Sequence, residues 1–334
     1  MDDPRGHVTG LITALFSTPV VYTAASLKLF DAMDEGLATS AELAERTATH
    51  PPSVFRLLRA LAALELVNHE GGNRFALTDA GRFLRAGAPD SVRGMALHWG
   101  ERIYGALGQL TQSVKTGEPW KISGLEGFQQ MASDPAGVAM FHQSMADQAA
   151  PVGRMLVEAY DFSGVSTVLD VGGSLGALLA EVLKANPKIT GQVLDLPALA
   201  EPCAAYLQQR GVGERAGFIG GSFFNAVPSG FDAYLIKSIV HDWQDAEARV
   251  ILERCRAAMA EGARVLVIEQ IAPERVRGAA DLPPIRGDIM MMTANGGRER
   301  TEGEFRELFA SAGLKLDRIV PTRGLFSVLE GSAA

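Results

Sequence analysis

The sequence predicts an α/β protein, a Rossmann-like doubly wound sheet preceded by a mostly helical unit of winged-helix type, and three observations carry that expectation. From Ser166 onward, short β-branched runs alternate with loops and helical stretches, the pattern of a largely parallel sheet covered by helices. Ahead of it, residues 1–90 hold an apolar helix, a helix-turn-helix and a small hairpin. The length of 334 residues also exceeds what one core usually serves. The expected divisions are 1–95 for the helical unit, 96–150 for a helical connector that contributes to a pocket, and 151–334 for the sheet.

Each element has a local reason. Over residues 8–32 apolar side chains recur at helical spacing on more than one side, so this helix needs a partner surface. Thr39-Ser40-Ala41-Glu42 sets a hydroxyl before a short helix and an acid in its first turn, an N-terminal cap. The next helix starts at Pro51-Pro52, where proline suits the first turn, and runs through Phe55, Leu58, Leu61 and Leu64. Strands at 66–69 and 74–77 flank the turn Gly71-Gly72-Asn73. The connector brings Trp99, Tyr104, Trp120, Phe128, Phe141 and Met145, either as core packing or as the roof of a flat aromatic ligand. In the sheet, Thr167–Val171 is a strand, 172–176 a glycine turn and Ala177–Ala185 a helix. A second strand over 191–195 ends in an acid, and others are expected at 217–220, Ala233–Lys237, 264–269 and 314–320, with 326–329 closing an edge.

Composition excludes more than it names. With 47% apolar and 21% charged residues the balance is globular. No uninterrupted apolar run approaches the roughly 18 to 20 residues of a membrane helix, and the opening MDDPRGH is unlike a signal peptide, so a cytoplasmic location is expected. Cys203 and Cys255 cannot supply a disulfide framework or a four-thiolate zinc site. The net charge of −8, and eight Lys or Arg against eleven Asp or Glu in residues 1–90, disfavour a nucleic-acid surface. The second helix of the helix-turn-helix offers base edges little beyond Arg56 and Arg59. A dimerisation module fits the first unit better than a DNA reader.

The glycine turn Asp170-Val-Gly-Gly-Ser-Leu-Gly176 follows a strand and opens a helix, the context in which glycines let a ligand approach the backbone. Asp195, about 20 residues on at the end of the next strand, is placed to accept hydrogen bonds from ribose hydroxyls. These two features alone do not separate a dinucleotide site from an S-adenosylmethionine site. The phosphate fingerprint is absent, since Ser174 stands between the glycines. A sulfonium cofactor has no phosphate to cradle, so an acid beside the loop helps rather than repels it.

At these residues the chain resembles the O-methyltransferases of the plant caffeate and bacterial antibiotic-tailoring type. The resemblance runs over nearly the whole sequence, through Asp170–Gly176, Asp195-Leu-Pro197, Lys237-Ser-Ile-Val-His-Asp-Trp243, Val267-Ile-Glu269 and Gly297-Arg-Glu-Arg-Thr301. It implies a dimerisation domain, a Rossmann-like S-adenosyl-L-methionine domain and no metal requirement. It implies further that Asp195 holds the ribose, that Gly172 lies near the methionine part, that Lys237 and Trp243 lie near the adenosine end, and that Asp170, Leu196, Ser222 and Phe223 complete the cofactor site. Two positions depart from the family: Ser174 replaces its third glycine, and Ser222 replaces the acid that meets adenine. Loss of that carboxylate is expected to cost about 1 to 3 kcal/mol of binding if the contact is buried.

His241 follows the strand Ala233–Lys237 and matches the family's general base. Methyl transfer is an in-line displacement in which an oxygen attacks the sulfonium methyl, and the hydroxyl proton must be removed. Full prior transfer from a phenol to an ordinary histidine would cost about 4 to 5 kcal/mol, so transfer concurrent with attack, or an acidified phenol, is expected. By resemblance, Glu269 and Glu299 fix the tautomer of His241, Met145 and Met291 clamp an aromatic acceptor, Phe141 forms a wall, and Asp242 and Asn295 contact the substrate. Two rivals stand: a methyltransferase-like protein that uses its cofactor for hydroxylation, decarboxylation or cyclisation, and a ligand-sensing winged-helix regulator.

Overall fold

The computed structural model describes residues 3–33, 36–88, 90–120 and 135–334. The chain divides into two compact units, Met1–Gly105 and Ala106–Ala334, so the division falls inside the expected connector rather than at residue 95. Of the connector aromatics, Trp99 and Tyr104 belong to the first unit, Trp120 to the second, and Phe128 lies outside the described residues.

In the first unit, helices Pro4–Thr13 and Ser17–Ser26 are joined by a 3-10 turn, Ala14–Phe16. Pro19 sits in the first turn of the second helix, just past the 3-10 turn. Pro4–Ser26 therefore continues as a 23-residue helical segment that is long and apolar enough by composition to cross a membrane. Arg5, His7, Thr9, Ser17, Thr18 and Thr23 interrupt it, so it contains no unbroken apolar run of that length, in line with the sequence. The helix breaks at Lys28, whose φ of 57° is left-handed, rather than running on to residue 32. Val20, Ala24 and Ala25 pack with Phe30, Leu58, Leu61 and Phe75 in the core, while Leu11, Ile12, Leu15 and Phe16 are exposed.

Thr39 and Glu42 form a capping box on helix Ser40–Arg46, and helix Pro51–Ala63 follows. Strands β2 (Val67–His69) and β3 (Arg74–Leu77) pair antiparallel as expected. A third strand, β1 (Ala38–Thr39), pairs with β3 and gives the order β1-β3-β2. Two residues carry no readable period, so the sequence pattern misses it.

The second unit contains a seven-stranded sheet of β4 (Thr167–Val171), β5 (Thr190–Asp195), β6 (Ala216–Gly220), β7 (Ala233–Lys237), β8 (Arg264–Gln270), β9 (Leu314–Pro321) and β10 (Phe326–Ala333), in the order β6-β5-β4-β7-β8-β10-β9. The first five are mutually parallel, and β10 runs antiparallel to both neighbours. The expectation that residues 326–329 close an edge is overturned, since β10 inserts between β8 and β9. The reason is burial: Val328 and Leu329 have no exposed surface, whereas Lys315, Asp317 and Arg318 of β9 face solvent and suit an edge. From β4 the chain builds the sheet outward in both directions, and the resulting switch point places a crevice beyond the carboxyl ends of β4 and β7.

Candidate active site

β4 carries Asp170 and the glycine loop to that crevice, β5 carries Asp195, and β7 carries Lys237. Asp170, Gly172, Asp195, Leu196, Ser222, Phe223, Lys237 and Trp243 line a single cavity together with Phe141, Met145 and Asp242. Gly172 has a φ of 71°, and a Cβ there would lie 2.6 Å from Ile239 Cδ1, so the loop offers bare backbone where a side chain has no room. The Asp170 carboxyl is buried and its Oδ2 has no hydrogen-bond partner among the described residues. Burial, with Asp195 adding to it, pushes this group up to about 7. A desolvated acid of this kind suits a cationic ligand.

Asp195 Oδ2 accepts the Ser174 N–H at 2.8 Å and its Oδ1 accepts the Leu196 N–H at 2.7 Å. Each oxygen retains capacity for a hydroxyl donor. Burial holds the Lys237 ammonium below its ordinary range, against the pull of Glu269 and Asp170, and its Nζ lies 5.2 Å from the Phe326 ring centroid. Trp243 packs edge-on against Phe224 at 4.6 Å between ring centroids, and the Ser222 hydroxyl accepts the Phe224 N–H at 3.3 Å.

His241 sits in the 3-10 turn Val240–Asp242 directly after β7. Its Nδ1 lies 2.9 Å from Glu299 Oε1. Glu269 acts on the backbone instead: its Oε1 accepts the N–H groups of Ile239, Val240 and His241 at 3.1, 3.0 and 3.4 Å, while its Oε2 is 3.7 Å from His241 Nδ1. Burial opposes charge on His241, but Glu269, Glu299 and Asp242 outweigh it and raise the imidazole well above its ordinary value. With Nδ1 engaged by Glu299, Nε2 is the nitrogen left to take a proton. Nitrogen and carboxylate oxygens of His241, Glu269 and Glu299 all fall within 4.8 Å of one another, a set that could also ligate a divalent ion.

Not every expected residue meets the cavity. His241, Glu269, Glu299, Met291 and Asn295 are absent from its lining. Asn295 Nδ2 donates to Asp242 Oδ1 at 2.7 Å, so it orients an acid that does line the cavity. Met291 is buried, with its sulfur 3.7 Å from Asn295 Nδ2.

Four residues that hold the histidine turn were not singled out in the sequence. Arg300, almost wholly buried, donates to the carbonyls of Val240 and Trp243 and to Asp245 Oδ1 at 2.8–2.9 Å. A Cβ on Gly297 would fall 2.0 Å from His241 O, the carbonyl that accepts the Arg298 N–H at 2.8 Å. Gly287 leaves room for Glu299, and Asp288 Oδ1 accepts the Glu299 N–H at 3.0 Å. The run 297–301 marked the region, but only tertiary contact assigns each residue its part.

Residues 107–315 match the family described as O-methyltransferase domain, and residues 10–87 match the O-methyltransferase dimerisation domain. The chain belongs to the O-methyltransferase family. It is 38% identical to the O-demethylpuromycin-O-methyltransferase of Streptomyces alboniger over 98% of this chain and 88% of that one. Among solved structures, LaPhzM superposes with a TM-score of 0.93 at 32% identity over 98% and 99% of the two chains. NcsB1 from neocarzinostatin biosynthesis, in complex with S-adenosylmethionine and 2-hydroxy-5-methyl naphthoic acid, matches with a TM-score of 0.76 at 31% identity over 95% and 96%. A relative of different title, the aclacinomycin 10-hydroxylase RdmB of Streptomyces purpurascens, is 32% identical over 93% of this chain and 86% of that one. The protein is an S-adenosylmethionine-dependent O-methyltransferase. Its own residues fit that cofactor: the glycine backbone admits it, and the unpartnered Asp170 oxygen suits its positive charge.

Proposed function

We propose that this O-methyltransferase methylates a hydroxyl of an aromatic or polyketide-like small molecule, with His241 as general base and no metal. The observation that carries the reading is the contact of His241 Nδ1 with a buried carboxylate, which leaves Nε2 to receive the acceptor's proton. Bound S-adenosylmethionine supplies an electrophilic methyl group. Asp195 holds the ribose, Asp170 and Gly172 meet the methionine part, and Leu196, Ser222, Phe223, Lys237 and Trp243 enclose the remainder. Phe141 and Met145 flank the acceptor, a task that a thioether suits because it packs against rings and adapts to them. Asn295 acts through Asp242, which contacts the acceptor, and Met291 packs against Asn295.

As the acceptor loses its proton, Nε2 gains it and Nδ1–H donates to Glu299, so the new imidazolium stays paired. Glu269 holds the turn that carries the ring. A water-excluding cavity favours the step, because the oxyanion and sulfonium charges cancel as the bond forms.

In this reading the N-terminal unit joins two copies, and Leu11, Ile12, Leu15 and Phe16 meet the partner copy rather than a bilayer or nucleic acid. The enzyme is then a cytoplasmic homodimer. Incubation with methyl-labelled cofactor and a panel of phenols and hydroxynaphthoates should yield a labelled methyl ether. A hydroxylated product instead would favour the reaction type of the hydroxylase relative, and specific DNA binding at moderate salt would favour a regulator.

A further inference from the structure

Two polar side chains of the cavity have no part in the chemistry above. His142, on helix Pro135–Ala159, and Ser174, in the loop after β4, both line it, and His142 Nδ1 lies 2.7 Å from Ser174 Oγ. Ser174 has a φ of 55°, in the left-handed region that disfavours a residue with a Cβ. A non-glycine residue persists there only where its surroundings hold it. The same residue's N–H is the donor to Asp195 Oδ2. A ring on one element, a hydroxyl on a second and a carboxylate at the end of a third thus form one connected chain. Burial holds His142 down to about 4, so its ring is neutral at physiological pH and can accept from the hydroxyl.

From this geometry we infer that His142 is a positioning residue for the cofactor: it holds the Ser174 hydroxyl, and through the Ser174 N–H it aims the Asp195 carboxylate at the ribose. The inference rests on the placement of the ribose at Asp195 proposed above. It also gives the serine at a family glycine position a purpose, since the partner that fixes it comes from the helix bearing Phe141 and Met145.

Calorimetric titration with S-adenosylhomocysteine tests it. Losing this buried hydrogen bond in His142→Phe or Ser174→Ala should weaken binding about five- to tenfold, while His142→Gln, which keeps an acceptor, should stay within about twofold of the native protein. The 2′,3′-dideoxyribose analogue, which offers Asp195 no hydroxyl, should bind the native protein and His142→Phe alike. Equal affinity of His142→Phe and native protein for S-adenosylhomocysteine overturns the inference, and so does an equal loss for the dideoxy analogue. If the native protein itself binds the analogue as tightly as S-adenosylhomocysteine, the ribose site at Asp195 is wrong and the inference falls with it.

Discussion

Glu299 Oε1 stands 2.9 Å from His241 Nδ1, and the backbone of Glu299 is itself fixed by Asp288. The two glutamates that flank the histidine therefore have different tasks. Glu299 meets the ring, whereas Glu269 gathers three backbone N–H groups of the turn that presents it. Replacing His241 by Gln should lower kcat by about 10² to 10⁴, the usual worth of a positioned base. Affinity for S-adenosylhomocysteine should stay near native, because His241 does not line the cavity. Native kcat in this variant, with an intact fold, would remove His241 from the base role.

Glu299→Gln and Glu269→Gln should separate the two tasks. The first removes the charge beside Nδ1 and should lower kcat while lowering the histidine pKa, measurable from imidazole ¹⁵N shifts. The second weakens the acceptor of three N–H groups and should cost about 1 to 3 kcal/mol of stability. Both substitutions remove a charge that raises the imidazole, so both should lower the histidine pKa, and equal losses of stability in the two would contradict the division.

The raised pKa of His241 sets a pH window. Its folded-state value lies above its ordinary one, so the stabilisation is complete below about 6.5. It is lost as pH rises through the raised value, and native Tm should fall in the alkaline range more steeply than that of His241→Gln. Activity needs one proton shared between ring and acceptor, as neutral imidazole with phenol or as imidazolium with phenolate. The acid limb of kcat/KM should therefore move with the phenolic pKa across a series of acceptors. A limb fixed near 6.5 for every acceptor would show an unperturbed histidine.

Metal removal should leave turnover unchanged, because the proposed base is set by carboxylates. Added zinc should inhibit, competing with the proton for His241 and the acids within 4.8 Å of it. Loss of activity in EDTA, with recovery on adding metal, would reverse this assignment.

Ser222 lines the cavity, at a position where the resemblance implies an acid. Ser222→Asp should tighten S-adenosylhomocysteine binding, by up to about tenfold if the new carboxylate reaches adenine, as a charged hydrogen bond would. Unchanged affinity would mean that this residue does not meet the adenine.

What the sequence determined by itself was local or periodic. The strand Thr167–Val171 and helix Ala177–Ala185 have the expected ends because β-branched runs, glycine turns and caps act over a few residues. The acid-and-glycine turn after Thr167–Val171, which lines the cavity, was legible from its spacing. Tertiary structure decided what depends on distant contacts: β10 lies inside the sheet because its side chains are buried on both sides, and the two-residue β1 exists only by pairing with β3. It also decided how the histidine turn is held. Arg300, Gly297 and Gly287 act through a buried guanidinium fork and two close backbone approaches, and His142 reaches Ser174 across 32 positions. Such pairings leave no period in a chain, because they form only when separate elements pack together.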